Sequence, residues 1–222
     1  MRPGFTHPVF DAQACFAALM EAMARPGRIQ ECAVPQDPPE GLHPAAAAAL
    51  LTLVDAETLL WTDARGEARD WIIFHTGAVL TEEPGHAHFV LALHDMPTLG
   101  TLNAGSDEGP QGSATLILQV MELEERCGWR LTGPGIRDAH DLHAHPMPSD
   151  FPAQWAANRA LFPRGVDLLL CAGTRLAAMP RGTQIAPMPH GTGLLSVPHG
   201  TGLLTVPHGT GRSTVPHGTG AN

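Results

Sequence analysis

FPRGVDLLLCAGTRLAAMPR, residues Phe162–Arg181, is the stretch that decides the fold. Val166–Cys171 reads as an apolar run of strand length, the pattern of a central strand covered on both faces. Leu176–Met179 reads as one more short strand. Just upstream, Ser149 or Asp150 stands where a side-chain oxygen can cap a helix running to about Leu161. A helix therefore leads into the most buried strand.

Further upstream the same two periods recur. Thr58–Thr62, Trp71–Thr76, His88–Leu93, Ala114–Leu123 and Trp129–Thr132 are short, apolar or alternating, and rich in β-branched or aromatic residues, which are strand signals. Ala114–Leu123 and Gly128–Thr132 read as a pair joined by a polar turn at Glu124–Cys127. Gly133-Pro134-Gly135 closes it as a tight turn. Toward the N-terminus, Asp11–Arg25 reads as a helix with Asp11 as N-cap. Phe16, Leu19, Met20 and Met23 form its expected apolar face, and Pro26-Gly27 stops it. Pro44–Thr52, with its alanine run, reads as a second helix. The order predicts an α/β domain: a mixed β-sheet flanked by helices, not a strict βαβ series.

Downstream the composition changes. The last acidic residue is Asp167, and beyond Ile185 the only formal charge is Arg212. Pro-His-Gly-Thr-Gly recurs four times, from Pro189, Pro198, Pro207 and Pro216, with a period of nine residues. Pro and Gly at this density break helix and strand alike. Residues 1–184 are therefore read as the α/β domain and 185–222 as a disordered repeat tail. His190, His199, His208 and His217 make a metal-binding arm the competing reading. A calcium-binding β-roll fails for want of aspartates.

The 222 residues are 43% hydrophobic, with 13 basic and 22 acidic side chains and a formal charge of −9. That balance lacks the electrostatic footprint for nucleic acid or an anionic membrane. Every basic residue is an arginine; lysine and tyrosine are absent. No side-chain amine can form a Schiff base with a carbonyl or pyridoxal phosphate, and no phosphate-binding GxxxxGK[ST] occurs. Cys15, Cys32, Cys127 and Cys171 contain no CxxC pair, and Cys15 and Cys171 lie in apolar runs as core thiols. Met1–Phe10 has no apolar signal region, and no run reaches the roughly 20 residues of a membrane helix. A cytoplasmic location is expected.

Candidate chemistry is sparse. Asp138, His140, Asp141, His143 and His145 could bind zinc or iron, but Pro146 and Pro148 argue for an irregular polar loop, the preferred reading. His86 and His88 would share a strand face, with His75 near, and read more simply as solvated strand-end side chains. His75 would end a strand in Phe74-His75-Thr76-Gly77, where α/β proteins often bind ligands. Arg164 and Asp167 could pair at the mouth of the apolar strand, with Arg181 joining them. Guanidinium forks suit phosphate or carboxylate, and an ordinary loop-orienting ion pair is the plainer alternative. These four residues, His75, Arg164, Asp167 and Arg181, are the ligand or partner contacts proposed from sequence. No catalytic, cofactor or metal residue is assigned.

Several segments occur in the order found in the PhnH family of bacterial phosphonate-metabolism proteins. They are Asp11-Ala12-Gln13 with Phe16, Met20–Gly27 (MEAMARPG), Leu50–Asp55 (LLTLVD), Phe74–Thr76 (FHT), Ala114–Val120 (ATLILQV), Arg130–Ile136 (RLTGPGI) and Phe162–Arg181. The chain resembles that family from about Phe5 to Thr183. The resemblance implies a component of the carbon–phosphorus lyase core complex, forming a homodimer and assembling with subunits G, I and J. With subunit L these make a ribose 1-phosphonate 5-triphosphate from ATP and a phosphonate. It implies no catalytic role and no cofactor for this component, and a fold like the large domain of type I pyridoxal-phosphate transferases. The missing lysine agrees with a cofactor-free version. Gly182 departs from the family's usual PRTT-like ending, and the repeat tail has no counterpart there. The alternative is a stand-alone nucleotide- or phosphonate-binding module or enzyme.

Overall fold

The computed structural model describes residues 2–187. In chain order the elements are α1 (Pro8–Ala24), β1 (Gln30–Glu31), α2 (Pro44–Leu53), β2 (Leu59–Thr62), α3 (Gly66–Thr76), β3 (Val79–Leu80), β4 (Phe89–Ala92), β5 (Thr115–Gln119), β6 (Glu122–Thr132), β7 (His140–His145), α4 (Phe151–Ala160), β8 (Asp167–Ala172), β9 (Arg175–Met179) and β10 (Gln184–Pro187). Seven strands form one sheet in the order β1-β9-β8-β5-β4-β2-β3. β8, β5, β4, β2 and β3 run parallel, while β9 is antiparallel to both β8 and β1. The expected mixed sheet is present, with β8 and β5 near its middle. β10, β6 and β7 form a second, antiparallel sheet.

Strand side chains alternate between two cores, because successive residues point to opposite faces. Ile117, Leu169 and Cys171 join Leu60 and Leu91 beneath α1, α2 and α3. Leu116, Leu118, Leu168 and Leu170 face the other way, toward Phe151 and Trp155 of α4 and Leu123, Leu131 and Leu142 of the small sheet. Both faces being covered is why the central strands read as apolar runs. In α2, Ala45–Ala49 and Leu50 are all fully buried. A helix apolar all round belongs inside.

Four sequence readings change. Trp71–Thr76 is not a strand; it is the C-terminal part of α3. Ala68, Trp71, Ile72 and Thr76 are its buried residues, at helical spacings that the six-residue window was too short to show. Gly77, at φ 68°, ends the helix in the left-handed region. HDLHAH is not a loop; it is β7, with Leu142 and Ala144 pointing inward. Glu124–Cys127 is not a turn but part of β6, where the pairing with β7 shifts between Glu124 and Trp129. Finally, α1 begins at Pro8, so Asp11 lies in its first turn and accepts from the His7 N–H at 2.8 Å. Its buried residues are Cys15, Leu19 and Ala22, while Phe16 and Met20 are half exposed.

The helix expected before Leu161 is α4, following Asp150. Its Asn158 is buried and clasps the strand entry. The side-chain oxygen accepts from the Val166 N–H at 2.7 Å, and the amide donates to the Val166 carbonyl at 2.9 Å. The tail was expected to begin at Ile185, but residues 185–187 belong to β10, paired with β6, and Ile185 packs against the core; the repeats from Pro189, with the four tail histidines, lie outside the described residues.

Candidate functional site

Asp167 opens β8, and Arg181 follows β9, which runs the other way; both therefore stand at the amino ends of the parallel strands. The Arg181 N–H donates to Asp167 Oδ1 at 2.7 Å and its Nε to the same oxygen at 3.1 Å. One terminal nitrogen reaches Asp167 Oδ2, and the other donates to the Pro110 carbonyl at 2.8 Å. Both side chains are mostly buried, at 17% and 14% exposure. Every guanidinium nitrogen is engaged within the protein, and the pair ties the loop after β9 to β8 and to Pro110. Arg164 does not join it: its Nε stands 2.9 Å from Asp107 Oδ1.

His75 lies apart from these residues, against the N-terminal segment. It lies in the last turn of α3, on the opposite face from α4. Its Nε2 is 3.0 Å from the Arg2 carbonyl, and its ring packs 4.6 Å from Trp71 and 5.0 Å from Phe74. It helps hold the N-terminal segment. The four residues singled out from sequence thus form no common site. His86 sits in a short 3-10 turn and His88 just ahead of β4, so they share no strand face.

The structure instead brings together three turns, and each belongs to a segment that carried the resemblance. After α1, the Gly27 N–H donates to the Ala178 carbonyl of β9 at 2.9 Å. Gly133-Pro134-Gly135 closes on itself, the Ile136 N–H donating to the Gly133 carbonyl at 3.1 Å. Pro180–Thr183 turns likewise, Thr183 N–H to Pro180 carbonyl at 2.8 Å. These turns touch through backbone. A Cβ on Gly135 (φ 81°) would overlap the Ala24 carbonyl oxygen and lie 2.9 Å from Pro26 Cδ. On Gly27 (φ 81°) it would meet Leu131 Cδ1 at 2.5 Å and His140 Cδ2 at 2.8 Å. Glycine is required at both positions, by space and by φ.

Two clefts border this junction. One, of about 240 Å³, lies between Met23, Ala24, Pro134, Gly135, Pro180 and Thr183. The other, of about 470 Å³, shares Gly135 and is lined by Arg25, Arg28, Arg137, Asp138 and His140. Arg25 pairs with Glu21 at 3.0 Å and Arg28 with Glu125 at 2.8 Å. Glu125 also accepts from the Ile29 N–H at 3.0 Å and lies 3.3 Å from His140 Nε2. These arginines were missed in the sequence. Their signal was position, since Arg25 and Arg28 flank Pro26-Gly27 and Arg137 follows the Gly-Pro-Gly turn.

A third cleft, of about 410 Å³, opens at the carboxyl ends of β2 and β4, where the chain reverses its direction of travel across the sheet. Such switch points commonly hold ligands. Here the Asp63 carboxylate accepts from the N–H groups of Leu93 and His94 at 2.8 and 3.0 Å, which closes the turn after β4. The remaining polar lining, Glu40, Arg65, His94 and Asp95, mixes both signs.

Cys15, Cys32 and Cys171 form part of the core rather than this surface. Cys15 and Cys171 are fully buried and Cys32 partly so. Burial, then the neighbouring Cys15, push the Cys171 thiol up. The hydrogen bond between Cys15 and Cys32 holds the Cys15 thiol down and pushes its partner up. No group of three His, Cys, Asp or Glu side chains among the described residues is placed to hold a metal ion.

The model of the family "Bacterial phosphonate metabolism protein (PhnH)" matches residues 3–186. The chain is 38% identical over 183 residues to the alpha-D-ribose 1-methylphosphonate 5-triphosphate synthase subunit PhnH of Rhizobium meliloti (strain 1021), covering 80% of this chain and 91% of that one. It is 32% identical over 169 residues to HtxG of Stutzerimonas stutzeri, a candidate C–P lyase subunit protein, covering 76% of this chain and 83% of that one.

Proposed function

From the premise that the chain belongs to the PhnH family of bacterial phosphonate metabolism proteins, we propose that it is a non-catalytic subunit of a carbon–phosphorus lyase core complex. In that role it assembles with subunits G, I and J in the cytoplasm, as a homodimer. The complex, with subunit L, forms a ribose 1-phosphonate 5-triphosphate from ATP and a phosphonate. The observation that carries the reading is a match spanning residues 3–186, nearly all of the described chain.

Several features support it. In the Asp167–Arg181 pair every guanidinium nitrogen donates within the protein, to Asp167 or to the Pro110 carbonyl. His75, Arg164 and Arg181 lie apart, so the ligand contacts expected from sequence form no single site. The mixed seven-stranded sheet with helices against it supports the likeness to pyridoxal-phosphate transferases, and a lysine-free chain can play the part only without the cofactor. The residues through β10 carry the role and the repeat tail beyond them does not.

The test is coexpression with the G, I and J subunits of one host. Tagged chain should retain all three through size exclusion, and so should the chain lacking residues 188–222, which keeps β10 whole. A chain that elutes alone, without them, refutes assembly. Loss of assembly only on truncation refutes the passive tail. The second reading, a ligand-binding module, draws on the arginine-lined cleft.

A further inference from the structure

We propose that the cleft between the end of α1 and the Gly133-Pro134-Gly135 turn is a binding site for a polyphosphate group, with Arg25, Arg28 and Arg137 as its ligands. Three of the chain's thirteen arginines line this one concavity, although the formal charge of the whole chain is −9. Its volume, about 470 Å³, is within the range of small-molecule sites. Guanidinium is the side chain best shaped for phosphate oxygens, because its planar donors engage two at once.

The carboxylates nearby hold the arginines without exhausting them. Glu21 engages one terminal nitrogen of Arg25, and Glu125 one of Arg28. A guanidinium has five N–H donors, so most of them stay available on each. Glu125 is itself anchored, by the Ile29 N–H. Arg28 is thereby partly ordered before a ligand arrives, which reduces the ordering entropy of binding. No ion pair within 4 Å involves Arg137 among the described residues. Asp138 is the one acidic side chain in the lining. Three guanidiniums suit a ligand carrying more than one phosphate.

The adjoining cleft gives the rest of such a ligand a place. It shares Gly135 and presents Met23, Pro134 and Pro180. Thr183 lies on its wall, 1% exposed, with a hydroxyl that has no hydrogen-bond partner. A buried hydroxyl left unpaired is costly, which points to a polar group it meets when the site is filled. An organic moiety bonded to the phosphates fits this second compartment.

The inference does not require assembly with other subunits. Binding is read on the isolated full-length chain, so it can fail while copurification succeeds, and the reverse. Calorimetry with tripolyphosphate, ATP and inorganic phosphate is the experiment. Tripolyphosphate and ATP should both bind saturably, with ATP tighter and inorganic phosphate weakest. Arg28→Gln and Arg137→Gln should each weaken both about tenfold or more, the loss of charge-assisted hydrogen bonds. Arg164→Gln, whose partner is Asp107, should leave binding unchanged, and circular dichroism melts should show all three variants folded. Absence of binding at millimolar tripolyphosphate overturns the proposal. So does binding that survives both substitutions, or ATP binding that tripolyphosphate does not share.

Discussion

Gly135→Ala separates two reasons for a glycine. The residue has φ 81°, and an added Cβ would run into the Ala24 carbonyl and Pro26 Cδ. Gly41 supplies the control, with φ 83° and nothing within 4 Å of a Cβ. A left-handed backbone with an L side chain costs about 1–2 kcal/mol. Overpacking a fitted contact costs roughly a further 1–3 kcal/mol. Gly41→Ala should therefore lose about 1–2 kcal/mol and Gly135→Ala about 2–5 kcal/mol. In a chain of this size each kcal/mol lowers the melting temperature by roughly 2–4 °C. Urea unfolding followed by tryptophan fluorescence measures both, with unchanged m-values required for the comparison. Equal losses in the two variants would refute the close backbone packing of the α1 terminus against the Gly-Pro-Gly turn. A Gly135→Ala protein as stable as wild type would refute the turn conformation as well.

Other expectations follow from particular contacts. Asp167→Asn leaves the mostly buried Arg181 guanidinium without its counter-charge and should cost about 3 kcal/mol in denaturant titration, while Asp167→Leu with Arg181→Met should recover part of it. Asn158→Ala removes both hydrogen bonds to Val166 and strands a buried N–H and carbonyl, so a loss of about 2–4 kcal/mol is expected by the same assay. Alkaline stability should report the thiols, because there is no lysine or tyrosine to titrate with them. The folded Cys171 holds its proton above the unfolded value, so its contribution is complete below about pH 8.5 and declines as pH rises further. The stability of Cys171→Ala should accordingly fall less than wild type between about pH 8.5 and 10.5; parallel curves would show the thiol is not protected by burial.

Much of the fold was legible because both faces of the central strands are buried. Leu168–Cys171 and Leu116–Leu118 need apolar residues at every position, and that makes a run visible without knowing its neighbours. α2 was legible by its alanines and α4 by its length, although Asp150 at its N-cap position makes no side-chain capping bond. The errors fell where one short window fits two periods. Trp71–Thr76 carries β-branched and aromatic residues on a helix whose other turns precede the window. β7 alternates correctly, Leu142 and Ala144 inward, but histidine at the outward positions hid the pattern. On α1 the buried side chains are the small Cys15 and Ala22 beside Leu19, while larger apolar residues remain exposed. Size alone was the wrong guide to the inner face.

The candidate site was legible only in pieces. Sequence alone determined that no side-chain amine chemistry is available, that the strands are apolar enough for a covered sheet, and that segments containing MARPG, TGPGI and AAMPR occur in the family's order. Those are properties of residue type and order, which need no neighbours. Only the tertiary structure decided that the three turns meet, that Asp167 takes Arg181 rather than Arg164, and that His75 joins neither but meets the Arg2 carbonyl. Residues 27, 135 and 182 are far apart along the chain, and nothing local records which backbone will come to lie against which. That pairing is set by the sheet order and by the two cores on its faces, and it gathers Arg25, Arg28 and Arg137 around a single cleft.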